Sequence, residues 1–125
     1  MLRIDVLGEL ELELDGTRLQ PPASRRACSL LGLLALERRM HPRSELAARF
    51  WPDVLDGSAR TSLRGALAAM RKALGPAGER YLDTTRERAG LSDEVSTDAG
   101  RFERLAREDR YEEAMDLWRG TFSAG

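Results

Sequence analysis

The stretch "SARTSLRGALAAMRKALGP", Ser58 to Pro76, holds four cationic side chains and no acidic one. At roughly 100° per residue, Leu63, Leu67, Met70 and Leu74 line one stripe, flanked by Ala66 and Ala73. The spacing predicts a helix over 58–74, closed by Gly75-Pro76. Beside the apolar stripe, Arg60, Arg64 and Arg71 share an arc of about 40°. Thr61, Gly65, Ala68 and Lys72 continue round the wheel: three small residues and one more cation. A helix face built only for solvation usually carries Glu or Gln, for propensity and i,i+4 pairing. Small side chains between cations instead let a helix enter a groove while guanidinium groups reach phosphates and base edges. A basic face is nonetheless most often simply solvated. Its meaning depends on what lies either side of it.

Upstream, "LRIDVLGELELELDGTRLQ" alternates apolar and polar residues, with Leu2, Ile4 and Val6, then Leu10, Leu12 and Leu14. This predicts a small antiparallel sheet with a tight hairpin at Asp15-Gly16. Glu9, Glu11, Glu13 and Asp15 fall on its wet face, and Pro21-Pro22 ends it. The period then turns helical. Leu30, Leu31, Leu33, Leu34 and Leu36 form a broad apolar face behind Ser24, a fitting N-cap. "HPRSELAARFW" reads as a second, shorter helix with Pro42 near its first position and Leu46, Phe50 and Trp51 turned inward. Pro52 and "DVLDG" break it.

Downstream, "RYLDTTRERAGLSDEVSTD" predicts a short hairpin over about 81–93, with Arg86, Glu87 and Arg88 at its tip. After Asp98 the chain becomes helical again. Phe102 and Leu105 line one helix; Tyr111, Ala114, Met115 and Trp118 line another.

Composition agrees with a folded protein. Of 125 residues, 42% are hydrophobic and 33% charged, enough for one compact domain or a small domain with an appendage. Net charge is −1, but it is unevenly spread. Residues 1–92 carry 15 Lys and Arg against 12 Asp and Glu, a net of +3, and residues 93–125 carry 5 against 9, a net of −4. A mildly basic front and an acidic tail suggest two parts with different partners. One cysteine, Cys28, excludes an internal disulfide and fits a reducing compartment. Arg3 and Asp5 interrupt any secretory core, and the longest apolar run, Ala27 to Leu36, is about half a membrane span. The expected location is the cytoplasm, with no membrane partner.

The order is therefore sheet, three helices, hairpin, helices. That is an α+β fold: a winged helix-turn-helix with an N-terminal antiparallel sheet and a short α-helical extension. In such a fold the third helix, directly before the hairpin, is the recognition helix. The basic arc on Ser58–Leu74 thereby becomes a candidate surface for double-stranded DNA.

The ordered set "LRIDVLG", "SRRACSLLGLLAL", "ELAARFWPD", "SARTSLRGALAAMRKALG" and "DAGRFERLAREDRYEEAMDLWRG" resembles SARP-type bacterial transcriptional activators. That family joins an OmpR-type winged-helix DNA-binding domain to a bacterial transcriptional activator domain of tetratricopeptide-like repeats. The resemblance implies a DNA-binding domain over 1–95 and, over 96–125, a helical pair that begins the activator domain. By position it places Arg60, Thr61, Ser62, Arg64 and Arg71 on the recognition helix, with Arg86 and Arg88 at the wing. Pro52, Asp53, Val54, Leu55, Asp56 and Gly57 resemble the loop through which such regulators touch RNA polymerase. Two departures stand out. "RAGLSDE" occupies the place of the Gly-Tyr pair usual on the returning wing strand. The family's helical domain also continues well beyond the length present here. Solenoid repeats need neighbours to bury their faces, so the 98–119 helices are expected to pack on the winged domain, on a second chain by self-association, or on further residues.

The remaining candidates carry plainer readings. Arg25 and Arg26, at the start of the first helix, suit a phosphate or a solvated helix end equally. Arg38 and Arg39 are expected to complement that helix's dipole. Trp51 and Trp118, at helical spacing among apolar neighbours, read as core. Cys28 reads as a buried thiol and His41 as structural or exposed, with no metal-ligand spacing between them. No phosphate-binding loop, carboxylate cleft, nucleophile elbow or zinc-protease pattern is present. The expectation is a regulator rather than an enzyme, with no cofactor and no metal. The rival reading is a winged fold that has lost DNA binding and acts as a protein-interaction module through its acidic tail.

Overall fold

The computed structural model describes residues 1–107. The helix expected around Tyr111–Trp118, and with it most of the tetratricopeptide-like extension, lies outside the described residues. By packing, the chain divides into two compact units: residues 1–21 together with the stretch from Asp93 onward, and residues 22–92.

The first unit is built on strands β1 (Leu2–Asp5), β2 (Glu11–Leu14), β3 (Thr17–Leu19) and β7 (Ser96–Thr97), in the order β3-β2-β1-β7. The first three form the expected antiparallel meander, and β7 adds to β1 in parallel. Register sets Ile4 opposite Leu12, and Leu2, Ile4 and Leu12 are buried on one face. Asp15 and Gly16 both take positive φ, 50° and 85°. Two left-handed residues in succession make the hairpin turn whose twist matches its strands, and Asp and Gly tolerate them best. The wet face is more ordered than alternation alone implies. Arg3 pairs with Glu13 and with Asp5 (3.5 Å), and Arg18 with Glu11 (3.1 Å).

Helix α5 (Asp98–Arg107) follows β7 directly. Asp98, only 1% exposed, opens it. Its carboxylate accepts from the backbone N–H of Val6 (2.8 Å), Leu7 (2.9 Å) and Ala99 (2.8 Å). One buried side chain therefore satisfies the chain leaving β1, while Thr97 caps α5, its Oγ1 accepting from the Gly100 N–H at 3.0 Å.

The second unit carries helices α1 (Arg25–Leu36), α2 (Arg43–Phe50), α3 (Asp56–Leu74) and the one-turn α4 (Gly78–Tyr81), with strands β4 (His41–Pro42), β5 (Leu82–Thr84) and β6 (Arg88–Leu91). The strands form an antiparallel sheet in the order β4-β6-β5, so the expected hairpin is β5–β6. Ser24 caps α1 as expected, its Oγ accepting from the N–H of Ala27 at 3.3 Å. Leu30, Leu31, Leu34, Leu46, Leu63, Leu67, Met70 and Leu74 are buried as helical periodicity assigned, but Leu33 is half-buried and Leu36, at the end of α1, is 56% exposed. Gly75, at φ 69°, closes α3 by donating to the carbonyls of Arg71 and Lys72.

Several local expectations change. Pro42 does stand at the N-cap of α2, but His41-Pro42 also forms a strand, because His41 pairs with Ala89 and Pro42 with Arg88 on β6. His41 is buried, and its Nε2 meets the Glu37 carbonyl at 3.0 Å. Helix α3 begins at Asp56, before Ser58, so Asp56 and Gly57 belong to its first turn and the preceding loop ends at Leu55. An acid in the first turn suits the helix dipole. Phe50 and Trp51 are half-buried rather than core, and Cys28 is half-buried with its thiol donating to the Pro22 carbonyl at 3.1 Å. Arg38 and Arg39 lie beyond the end of α1. The first donates to the Ser92 carbonyl (2.7 Å), and the second pairs with Glu37 (3.8 Å) and Glu45 (3.5 Å).

Candidate nucleic-acid interface

The candidate surface lies within the second unit, where α3, the first turn of α2 and the β5–β6 tip meet. Arg60, Thr61, Ser62, Arg64, Gly65, Ala68 and Lys72 are exposed along α3, opposite its buried stripe. The Thr61 hydroxyl turns back to donate to the Gly57 carbonyl of its own helix at 3.0 Å. Arg71 differs from its neighbours: it is half-buried, and its Nη2 donates to the Thr84 hydroxyl on β5.

Arg43, the first residue of α2, joins this surface although helical spacing alone did not single it out. Burial, and then the charges of Arg71 and Arg64, push its guanidinium below the ordinary arginine value. Its Nε is buried with no hydrogen-bond partner among the described residues. Its backbone N–H donates to the Glu87 carbonyl at 2.7 Å, fixing the start of α2 to the hairpin tip. The charges of Arg64 and Arg71 thus both reach Arg43, and none of the three forms an ion pair with a carboxylate among the described residues. Like charges so placed favour an incoming anion. The sequence held only a faint signal, an arginine directly after the helix-starting proline. That α2 aims it at the α3 arc follows from the crossing of the two helices.

The wing residues Arg86 and Arg88 are exposed. The tip is braced locally: Thr85 Oγ1 accepts from the Arg88 N–H (3.0 Å), and the Thr85 N–H donates to the Arg88 carbonyl (2.9 Å). Because Arg88 pairs with Pro42, beside Arg43, the tip is brought next to the start of α2. The glycine of "RAGLSDE" has a structural task. A Cβ on Gly90 would stand 2.8 Å from the Arg39 carbonyl oxygen and 2.9 Å from the Met40 sulfur.

Arg25 and Arg26 part company. Arg25 is exposed at the start of α1. Arg26 donates through Nη1 to the Phe50 carbonyl at the end of α2, with its guanidinium 5.8 Å from the centre of the Trp51 ring. It is engaged in holding the C-terminus of α2.

The loop before α3 presents Val54 at 44% and Leu55 at 82% exposure. Behind it, a groove of about 340 Å³ is lined by Ala47, Ala48, Trp51, Val54, Asp56 and Arg60, among others. Among the described residues no group of His, Cys, Asp and Glu is placed to hold a metal ion, and no helix is long and apolar enough to cross a membrane.

These elements define a mixed α+β chain with a SARP-like winged-helix fold. Among solved structures it is similar to Mycobacterium tuberculosis EmbR, a SARP-family transcriptional regulator, in complex with a low affinity phosphopeptide. The likeness has a TM-score of 0.64 at 25% identity and covers 93% of this chain and 34% of that one. The chain thus spans about a third of the length of that structure. No family model and no curated protein matches the sequence.

Proposed function

We propose that this chain is the DNA-binding part of a SARP-type transcriptional regulator, with α3 entering the major groove of duplex DNA. The observation that carries the reading is the exposed face of α3, where Arg60, Arg64 and Lys72 stand among small residues with no acid between them, and where Arg43 lies within reach of the Arg64 and Arg71 charges. A polyanion removes their mutual repulsion, and each phosphate neutralised releases condensed counterions. Gly65 and Ala68 leave the exposed side of α3 low enough for its backbone to approach base edges. Arg64, Lys72 and Ser62 are the proposed groove-facing contacts. Arg60 anchors the helix start, and Arg86 and Arg88 brace the neighbouring backbone from the wing. In functional terms residues 1–95 form the DNA-binding domain and residues 96–125 begin an activator domain. The similarity to EmbR supports the class of regulator.

The test is titration of a random duplex pool with the wild-type chain and with the Arg64→Glu, Lys72→Glu double variant, at matched salt. Both positions are exposed on α3, so circular dichroism should report an unchanged fold. Binding should fall by at least about 100-fold, as expected when two cationic contacts become repulsive. Equal affinity of the two proteins would remove the proposal and favour the interaction-module reading.

The loop carries a companion proposal. Val54 and Leu55 are two adjacent large apolar residues left exposed beside a groove, which suits contact with a protein rather than with phosphate. RNA polymerase is the proposed partner there. Leu55→Asp should abolish activated transcription in a reconstituted assay while leaving DNA affinity unchanged; a parallel loss of both would count against the separation.

A further inference from the structure

We infer that Thr84 is a positioning residue, which holds the Arg71 guanidinium so that Arg71 bears on the DNA backbone and does not read bases. The inference rests on the DNA-binding reading above and adds a division of labour within the arginine arc.

Helical spacing puts Arg60, Arg64 and Arg71 in one group, yet their surroundings differ. Arg60 and Arg64 are exposed, whereas Arg71 is half-buried and bonded through Nη2 to Thr84 Oγ1. Both ends of that bond are fixed. Gly78 lies so close to α3 that a Cβ there would stand 3.1 Å from the Arg71 carbonyl oxygen and 3.3 Å from its Cα. Thr84 rides on β5, paired with Ala89, and Ala89 is fully buried between its partners Thr84 and His41. The Arg71 tip is thus tied to β5, an edge strand held on the buried β6.

The chemistry of the tie matters. Arg43 repels the Arg71 guanidinium and would drive a free side chain outward into water. A carboxylate partner would hold it but cancel its charge. A threonine hydroxyl is a neutral acceptor: it takes one N–H of the fork and leaves the charge and the other donors for an incoming anion. An arginine tethered toward the wing can meet a phosphate, but it cannot swing to follow base edges. Arg71 should therefore contribute affinity without sequence preference, while the exposed Arg64 and Lys72 contribute both.

The test uses the whole chain and two duplexes, one selected from a random pool and one unrelated. Thr84→Val keeps the β-branched shape and removes the acceptor; Thr84→Ser restores it. Thr84→Val is expected to weaken binding to both duplexes by the same factor, about 3- to 10-fold, within the range for one lost hydrogen bond. Thr84→Ser should stay within about twofold of wild type. In an Arg71→Ala background, Thr84→Val should add nothing, because the residue acts through Arg71. The same loss with and without Arg71 would overturn the role, as would a changed preference between duplexes or wild-type binding by Thr84→Val. If the wild-type chain binds no duplex in a salt-dependent way, the DNA reading itself fails and takes this role with it. If wild type binds and only the Thr84 variants disagree, this role alone falls.

Discussion

Asp98 and Asp5 are carboxylates of the same unit with different support. Asp98 is buried, but three backbone N–H groups surround it. Asp5 is held above its ordinary carboxylate value by burial and by the nearby Asp98 charge, against the pull of Arg3 and Arg101. Arg101 reaches it from α5 at 3.3 Å. A folded state that raises an acid's value binds the proton more tightly than the unfolded chain does. The stabilisation is fully present below the unfolded value and is lost as pH rises through the folded one. The stability of Asp5→Asn relative to wild type should therefore increase as pH rises through the window just above 3.8, then level off. Urea unfolding at a series of pH values measures it; a relative stability that falls through that window would show the two arginines to outweigh burial. At this scale Arg26 and Arg43 also exchanged importance. Both are arginines at helix starts, and only the positions of Trp51, Phe50 and Arg64 around them separate a structural arginine from an interface one.

At the scale of elements, glycines distinguish packing from interface. Gly90 on β6 is pressed against Arg39 and Met40, so a methyl group there must push backbone. Gly90→Ala should cost about 1–3 kcal/mol in denaturant unfolding, the range for overpacking. Gly65 on α3 has nothing within 4 Å of a Cβ. Gly65→Ala should raise stability by up to about 1 kcal/mol, from helix propensity alone. If α3 lies deep in a groove, Gly65→Glu should reduce DNA affinity more than tenfold on a folded protein, through bulk and charge together. Unchanged affinity would place that face outside the contact. The periods of the elements were legible: alternation gave the N-terminal meander, and the 3.6-residue repeat gave α1 and α3 with their buried leucines. Boundaries were less so. His41-Pro42 pairs with a strand more than 45 residues away in sequence, a partner no local window contains. Phe50 and Trp51 look like core by spacing, yet they end α2 where Arg26 covers them.

For the whole molecule, the net charge of −1 hides a group of cations in the second unit, Arg43 with Arg64 and Arg71 around it and Arg60 and Lys72 exposed on the same helix α3. Binding that rests on phosphates must weaken as salt rises, with a logarithmic slope of about −0.9 per phosphate neutralised. Replacing one proposed backbone contact, Arg88, by alanine should flatten that slope by about one while keeping sequence preference. Anisotropy titrations between low and physiological salt give both quantities. A slope unaffected by removing Arg88 would exclude the wing from the contact.

The sequence by itself determined what short-range periodicity and turn chemistry can encode. It set the order of sheet, helices and hairpin, the Asp15-Gly16 and Gly75 turns, the leucine core and the basic arc of "SARTSLRGALAAMRKALGP". Those follow from neighbours a few residues apart, where backbone geometry fixes which side chains share a face. Tertiary structure alone decided how the arginines divide. It brought Arg43 to Arg64 and Arg71, turned Arg26 onto Trp51, tied Arg71 to Thr84 and buried Asp98 beneath two N–H groups more than 90 residues away. The physical reason is that charge acts through space and burial. Whether an arginine is a strut or a ligand depends on the acceptors and like charges that the fold sets around it.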